Sequence, residues 1–151
     1  PIRNALHRLK YKGDIAMGEI LARPLTSMLQ EQTWHIDLVT PVPLSVARRS
    51  QRGYNQASLL SIPLAFALGF KHRPDVLAKI KDTRSQVGLS YEERRANVAG
   101  SFSAIGKDVA GKNILVVDDV TTSGATLDAC AGALKQAGAQ VVYAVTLARA
   151  I

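Results

Sequence analysis

The stretch Ile114-Leu115-Val116-Val117-Asp118-Asp119-Val120-Thr121-Thr122-Ser123-Gly124-Ala125-Thr126 constrains the fold of this chain more than any other. Four consecutive apolar residues are the pattern of a strand buried on both faces, which belongs in a parallel sheet covered by helices. A helix is expected from about Gly124 to Gln136, with Leu127, Ala131 and Leu134 inward and Gly138 at its end. Val141 to Leu147 then reads as a second strand. A strand–helix–strand unit of this kind predicts an α/β fold, a mostly parallel central sheet flanked by helices. Ligands of such folds gather at the carboxyl ends of the strands.

The chemistry of the segment points the same way. Asp118 and Asp119 emerge where the strand ends, placed to accept hydrogen bonds from vicinal hydroxyls. Thr121, Thr122, Ser123, Gly124, Ala125 and Thr126 are small or hydroxylated and let the backbone close around a phosphate. Backbone N–H groups, hydroxyls and the positive start of the next helix all favour an anion there. Carboxylates for a diol beside a phosphate nest describe a ribose 5-phosphate site. A plain capped turn would leave two carboxylates uncompensated. A receiver domain also has paired aspartates after a strand, but it needs a Lys tens of residues beyond its acceptor Asp, and only 32 residues follow Asp119. A nucleoside-triphosphate loop fails because five residues separate Gly100 from Gly106 and Asp108 replaces the required Ser or Thr.

The rest of the chain shows no repeat. Ile2, Leu6 and Leu9 mark a short amphipathic helix that Gly13 stops, and Asp14 can cap a second helix that Pro24 is expected to kink. Leu38 to Val42 reads as a strand ending at Pro43, followed by an Arg-rich loop from Arg48 to Gly53 and a helix from about Asn55 to Leu68. Val76 to Ile80 reads as a strand and Lys81 to Ser90 as a long polar loop. Ser90 and Glu93 have the spacing of a capping box. Arg48, Arg49 and Arg52 after a strand end suit a diphosphate as well as a solvated turn. Tyr54, Asn55 and Gln56 serve equally as ligand contacts or as a helix start, and Arg94, Arg95 and Asn97 equally as a site or an exposed face.

Charge is divided unevenly. Residues 1–112 carry 17 basic and 9 acidic side chains, and residues 113–151 carry 2 and 3, within a net charge of +7. That asymmetry suits an anionic partner, either a phosphorylated small molecule or nucleic acid. No window approaches the roughly 18 apolar residues of a membrane span. The single cysteine, Cys130, excludes an internal disulfide and suits a reducing compartment such as the cytoplasm. His7, His35 and His72 are too dispersed for a metal site.

The segment 114–126 resembles the signature of type I phosphoribosyltransferases, which bind 5-phosphoribosyl 1-diphosphate (PRPP) with magnesium. Pro41-Val42-Pro43-Leu44 with Arg48 and Arg52-Gly53-Tyr54-Asn55-Gln56 is similar to the diphosphate-loop region of the ComF competence proteins. Lys81, Thr83, Gln86, Leu89 and Ser90, then Arg94, Asn97, Val98 and Phe102, resemble that family's flexible-loop region. The likeness runs from about Leu6 to Arg149. It implies the type I phosphoribosyltransferase fold with a small hood, and a single domain over 1–151 whose hood draws on about 1–36 and 81–103. Asp118 and Asp119 would be the catalytic pair on the ribose hydroxyls, and Thr121 to Thr126 the 5-phosphate cradle. Pro43, Leu44, Arg48 and Arg52 would meet the diphosphate, with Thr83, Arg84 and Gln86 on the flexible loop. Mg2+ would be held mostly by ligand and water, with weak help from Asp118 and Asp119. The resemblance further implies a role in DNA uptake, with transfer of phosphoribose to a nitrogen acceptor in an active member. The alternative is a non-catalytic module for PRPP, a nucleotide or single-stranded DNA, and related transferases often pair as homodimers. The family's cysteine-rich zinc-binding segment is absent, which with an initial Pro is expected of a chain lacking its natural start. Position 122 is Thr where 6-oxopurine transferases place an Asp, which argues against purine salvage of that type.

Overall fold

Ile114 to Val117 form the centre of the molecule in the computed structural model, which describes residues 2–12 and 14–150. They belong to β5 (Asn113–Thr121), which is flanked by β1 (Leu38–Pro41) and β6 (Val141–Arg149). The main sheet has the order β2-β1-β5-β6, all parallel, with β2 spanning Lys71–His72. Alternation along β5 divides the core in two. Leu115 and Val117 face one layer, built by α1 (Ile2–Lys12), α2 (Ile15–Gln30) and α4 (Gln56–Leu68) through Leu9, Leu21, Leu25, Leu60 and Leu64. Ile114 and Val116 face the other layer, where α7 (Ala125–Gln136) contributes Cys130, Ala133 and Leu134. Ala131, expected inward, is only half-buried, because Cys130 and Ala133 take the face that meets the sheet.

Several local signals act as read. Asp14 accepts from the Met17 N–H at 3.1 Å and starts α2, while the expected glycine stop at Gly13 lies outside the described residues. Ser90 and Glu93 exchange the reciprocal bonds of a capping box at the start of α5 (Tyr91–Val98). Two expectations change. The strand at 76–80 is shorter, β3 (Leu77–Lys79), and pairs antiparallel with β4 (Phe102–Ala104) as a separate ribbon over the α7 face. The Arg-rich loop is instead a helix, α3 (Val46–Arg52), because Ser45 caps its start and Gly53 closes its end at φ 76°.

Strand order fixes where a ligand can sit. After β1 the chain turns outward to β2 on one side, then returns through α6 (Gly106–Val109) to place β5 on the other side of β1. The connections leaving β1 and β5 therefore diverge and open a crevice at the carboxyl ends of these two strands.

Candidate functional site

Two turns border that crevice. The first follows β1, where the Val42 N–H donates to Val117 O at 2.9 Å and Asn55 Nδ2 donates to Val42 O at 2.9 Å. Asn55 also accepts from the Ala57 N–H at 3.0 Å, so it caps α4. Pro43 and Leu44 lie half-buried between these anchors and α3. Arg48 and Arg52 are one helical turn apart and, with Gln51, border a hollow of about 180 Å³. Arg52 is held by Gln56 Oε1, while Arg49 projects from a different part of α3 and is exposed.

The second turn follows β5, which runs on through both aspartates to Thr121 because β6 pairs beside it as far as Arg149. Adjacent residues of a strand point to opposite faces. Asp118 thus shares the α7 side with Cys130, and Asp119, buried, lies on the α4 side. Thr146 Oγ1 donates to Asp119 O at 3.2 Å. Beyond them the turn is closed by its own hydroxyls. Thr121 Oγ1 accepts from the Gly124 N–H at 3.1 Å, and Ser123 Oγ accepts from the Ala125 N–H at 3.3 Å. Gly124 stands at φ 83° before α7, whose start has no side-chain cap. The Gly124 and Ala125 N–H groups are thus taken by hydroxyls, and an anion at this helix start is served by the positive end of α7 and by those hydroxyls. Thr122 is exposed at the top of the turn.

The loop 80–90 meets β3 through Thr83 and the start of α7 through Gln86. Thr83 accepts from Lys79 Nζ at 2.9 Å, Gln86 Nε2 donates to Thr126 Oγ1 at 3.1 Å, and Leu89 lines a cavity beside the second turn. Arg84 is exposed, and its carbonyl accepts from Asn97 Nδ2 at 2.9 Å. A cavity of about 600 Å³ opens between the loop, α5 and the second turn, with Thr122 and Ser123 in its wall and Arg94 and Arg149 beside them. Neither aspartate lines this cavity.

Lys79 escaped sequence reasoning. Its ammonium lies 5.7 Å from the Phe102 ring centroid and within electrostatic reach of Arg48 and Asp118. Burial first, and then Arg48, hold its pKa below the usual lysine value. The available signal was parity, since Lys79 is two residues from buried Leu77 and projects to the same face of β3. Arg149 was missed for a similar reason, as the end of β6 extends past the apolar run. Burial pushes the Cys130 thiol well above its usual range, so it packs and does not react. Among the described residues, no cluster of three or more His, Cys, Asp or Glu could hold a metal, and no helix is long and apolar enough to cross a membrane.

Residues 21–151 match the family described as "Phosphoribosyl transferase domain". Competence protein F of Haemophilus influenzae is 33% identical over 157 residues, an alignment that covers 99% of this chain and 69% of that protein. The chain belongs to the ComF family. This ComF protein is also 30% identical to the DNA utilization protein YhgH of Escherichia coli K12, across 100% of this chain and 68% of that protein. Its fold is similar to adenine phosphoribosyltransferase from Thermoanaerobacter pseudethanolicus, with a TM-score of 0.58 and 16% identity over 93% of this chain and 84% of that one. The expected type I phosphoribosyltransferase fold is therefore the fold observed.

Proposed function

We propose that this ComF protein binds PRPP in the crevice between the turns after β1 and β5, and transfers its phosphoribosyl group to a nitrogen acceptor. What supports this reading is the set of groups at the carboxyl ends of β1 and β5: Asp118 and Asp119 where β5 ends, the start of α7 without a side-chain cap, and Arg48 and Arg52 on α3 after β1. The turn from Thr121 to Thr126 takes the 5-phosphate. Thr126 Oγ1 accepts from Gln86 Nε2 and can still donate its own proton to that phosphate, so Gln86 of the loop stands beside the 5-phosphate. Asp118 and Asp119 accept from the ribose hydroxyls, one from each face of the strand end. Pro43 and Leu44 bring the backbone against the diphosphate, which Arg48 and Arg52 then neutralise. The segment 81–103 serves as the hood, with Thr83, Arg84 and Gln86 on its moving part.

Magnesium fits this donor set sparingly. Asp118 and Asp119 project to opposite faces of β5, so either carboxylate would meet an ion with little help from the other, which suits one that keeps several waters and leans on phosphate oxygens. When bound, it would offset charge on the departing diphosphate. In the reaction the C1–oxygen bond to diphosphate breaks and a C1–nitrogen bond forms, through a ring bearing partial positive charge. The Asp118 and Asp119 carboxylates favour that charge, and Arg48 and Arg52 stabilise the leaving group. Calorimetry with PRPP and magnesium tests the reading. Heat with the wild type and its loss in Asp118→Asn and Asp119→Asn are expected; absence of wild-type binding would remove the proposal.

A non-catalytic role on single-stranded DNA or nucleotides is a second reading. Its support is the basic excess of residues 1–112 and the relatives named for competence and DNA utilization. Binding along a phosphate backbone weakens steeply with salt and depends on Lys and Arg outside 114–126. DNA binding that ignored salt and fell only with Thr122 or Thr126 would exclude it. Either role belongs in the cytoplasm, the compartment that a lone reduced cysteine suits.

A further inference from the structure

The cavity of about 600 Å³ beside the phosphate turn has a chemical character of its own. Arg94, on the first turns of α5, and Arg149, at the end of β6, both border it. Neither guanidinium has an ion-pair partner among the described residues. Arg94 Nε is buried without a hydrogen-bond acceptor, an arrangement that costs free energy unless something else supplies one. The nearest carboxylate along α5, Glu93, is engaged by the Ser90 N–H in the capping box, so it does not answer Arg94. No Asp or Glu lines the cavity.

The remaining wall is largely apolar. Leu89 and Ala150 form part of it, and the Tyr91 ring borders it with the Arg95 guanidinium 5.8 Å from its centroid. Ala150 is held in place by donating its N–H to Thr121 O at 2.9 Å, which fixes the end of β6 against the phosphate turn. Thr122 and Ser123 close the side nearest the crevice. A volume of this size accommodates a single ring with a substituent. Two guanidiniums without an ion pair, a tyrosine and two hydroxyl side chains suit a ligand that carries negative charge, and an aromatic neighbour such as Tyr91 favours one with a planar ring.

We propose that this cavity is the acceptor site and that it selects a planar nitrogen heterocycle bearing a carboxylate, with Arg94 and Arg149 as the determinants of that choice. The assignment of the cavity to the acceptor rests on the PRPP reading above; the preference for a carboxylate rests on the cavity alone. Arg forks suit a carboxylate because both oxygens can be met in one plane.

The test uses the full chain and two pairs of probes that differ in an acidic group, orotate against uracil and nicotinate against nicotinamide. Affinity is measured by calorimetry without PRPP and again with PRPP and magnesium. In at least one pair the acid should bind about tenfold tighter or more, as expected when a charge-assisted pair replaces a neutral contact. Arg94→Gln and Arg149→Gln should each erase most of that preference, while PRPP affinity stays within about threefold of wild type. Equal binding within both pairs overturns the proposal, as does a preference that survives both substitutions. Loss of PRPP affinity in Arg94→Gln or Arg149→Gln would reassign these side chains to the 5-phosphate and equally overturn it. If PRPP itself fails to bind the wild type, the transferase reading fails, and the comparison without PRPP still decides the preference.

Discussion

Gly18 and Gly132 both lie inside helices, yet replacing them by alanine should move stability in opposite directions. In an exposed helix, Gly→Ala gains about 0.5–1 kcal/mol because the unfolded chain has less freedom to lose. Gly132 in α7 meets this condition, since a Cβ there finds nothing within 4 Å. Gly18 in α2 does not. A Cβ there would stand 2.4 Å from Leu59 O and 3.1 Å from Leu59 Cβ, where ordinary contact begins near 3.4 Å. The obstacle is backbone of α4 and cannot rotate away, so α2 and α4 must part by about an ångström. Overpacking of this kind costs about 1–3 kcal/mol. Setting the propensity gain against it leaves a net loss of about 1–2 kcal/mol for Gly18→Ala. For a chain of this length, 1 kcal/mol corresponds to roughly 2–4 °C in Tm. Thermal unfolding followed by circular dichroism should show Gly18→Ala lower by about 2–8 °C and Gly132→Ala higher by about 1–4 °C. Urea titration separates the effect from a changed denatured state, since the midpoint should move without the slope. A Gly18→Ala protein as stable as wild type would refute the reasoning, because the α2–α4 seam would then have slack the structure does not show.

Burial holds the His72 pKa below 6.5, and its Nε2 lies 2.8 Å from Ser61 Oγ. The unfolded chain therefore binds the proton first, so stability should fall as pH drops below about 6.5 and down through the folded pKa. Urea midpoints at pH 7.5 and 5 should differ less in His72→Gln than in wild type. Removing the Ser90 hydroxyl in Ser90→Ala should cost about 1 kcal/mol in a urea titration. The Glu93 carboxyl, held low first by the Ser90 N–H and then by the hydroxyl, should rise only part-way towards its usual value in an NMR titration. Lys79→Met should weaken PRPP binding about tenfold without lowering Tm, because the half-buried ammonium beside Arg48 costs the fold more than it returns. A large loss of Tm with PRPP affinity intact would assign Lys79 to structure instead.

What the sequence made legible follows from how local each cause was. The unit from β5 through α7 to β6 could be read because four apolar residues, a hydroxyl-rich turn and a helical period act within neighbouring residues. The capping boundary at Ser90 and the cap at Asp14 are local in the same sense. The ribbon of β3 with β4 was not legible, since its partners lie more than twenty residues apart and its three-residue strands carry no period. The two-residue strand β2 owes its pairing to β1 alone. At the site, the sequence placed Asp118 and Asp119 side by side, but continuation of β5 sends them to opposite faces, a fact set by the length of β6. The expected Arg loop became a helix once Ser45 and Gly53 acted together. Lys79 was invisible because its importance comes from what approaches it, Arg48 from one element and Asp118 from another.

The separation between the phosphate turn and the walls of the larger cavity has an evolutionary consequence. The turn grows directly out of β5, whose side chains from Ile114 to Val117 are sealed in both core layers, so drift there would unravel the molecule. Arg94 and Arg149 stand on the outer parts of α5 and β6, away from either layer. Selection can therefore exchange those two side chains at little expense to folding, and under the proposed transferase reading descendants of one ancestor would serve different nucleophiles while handling the same activated sugar.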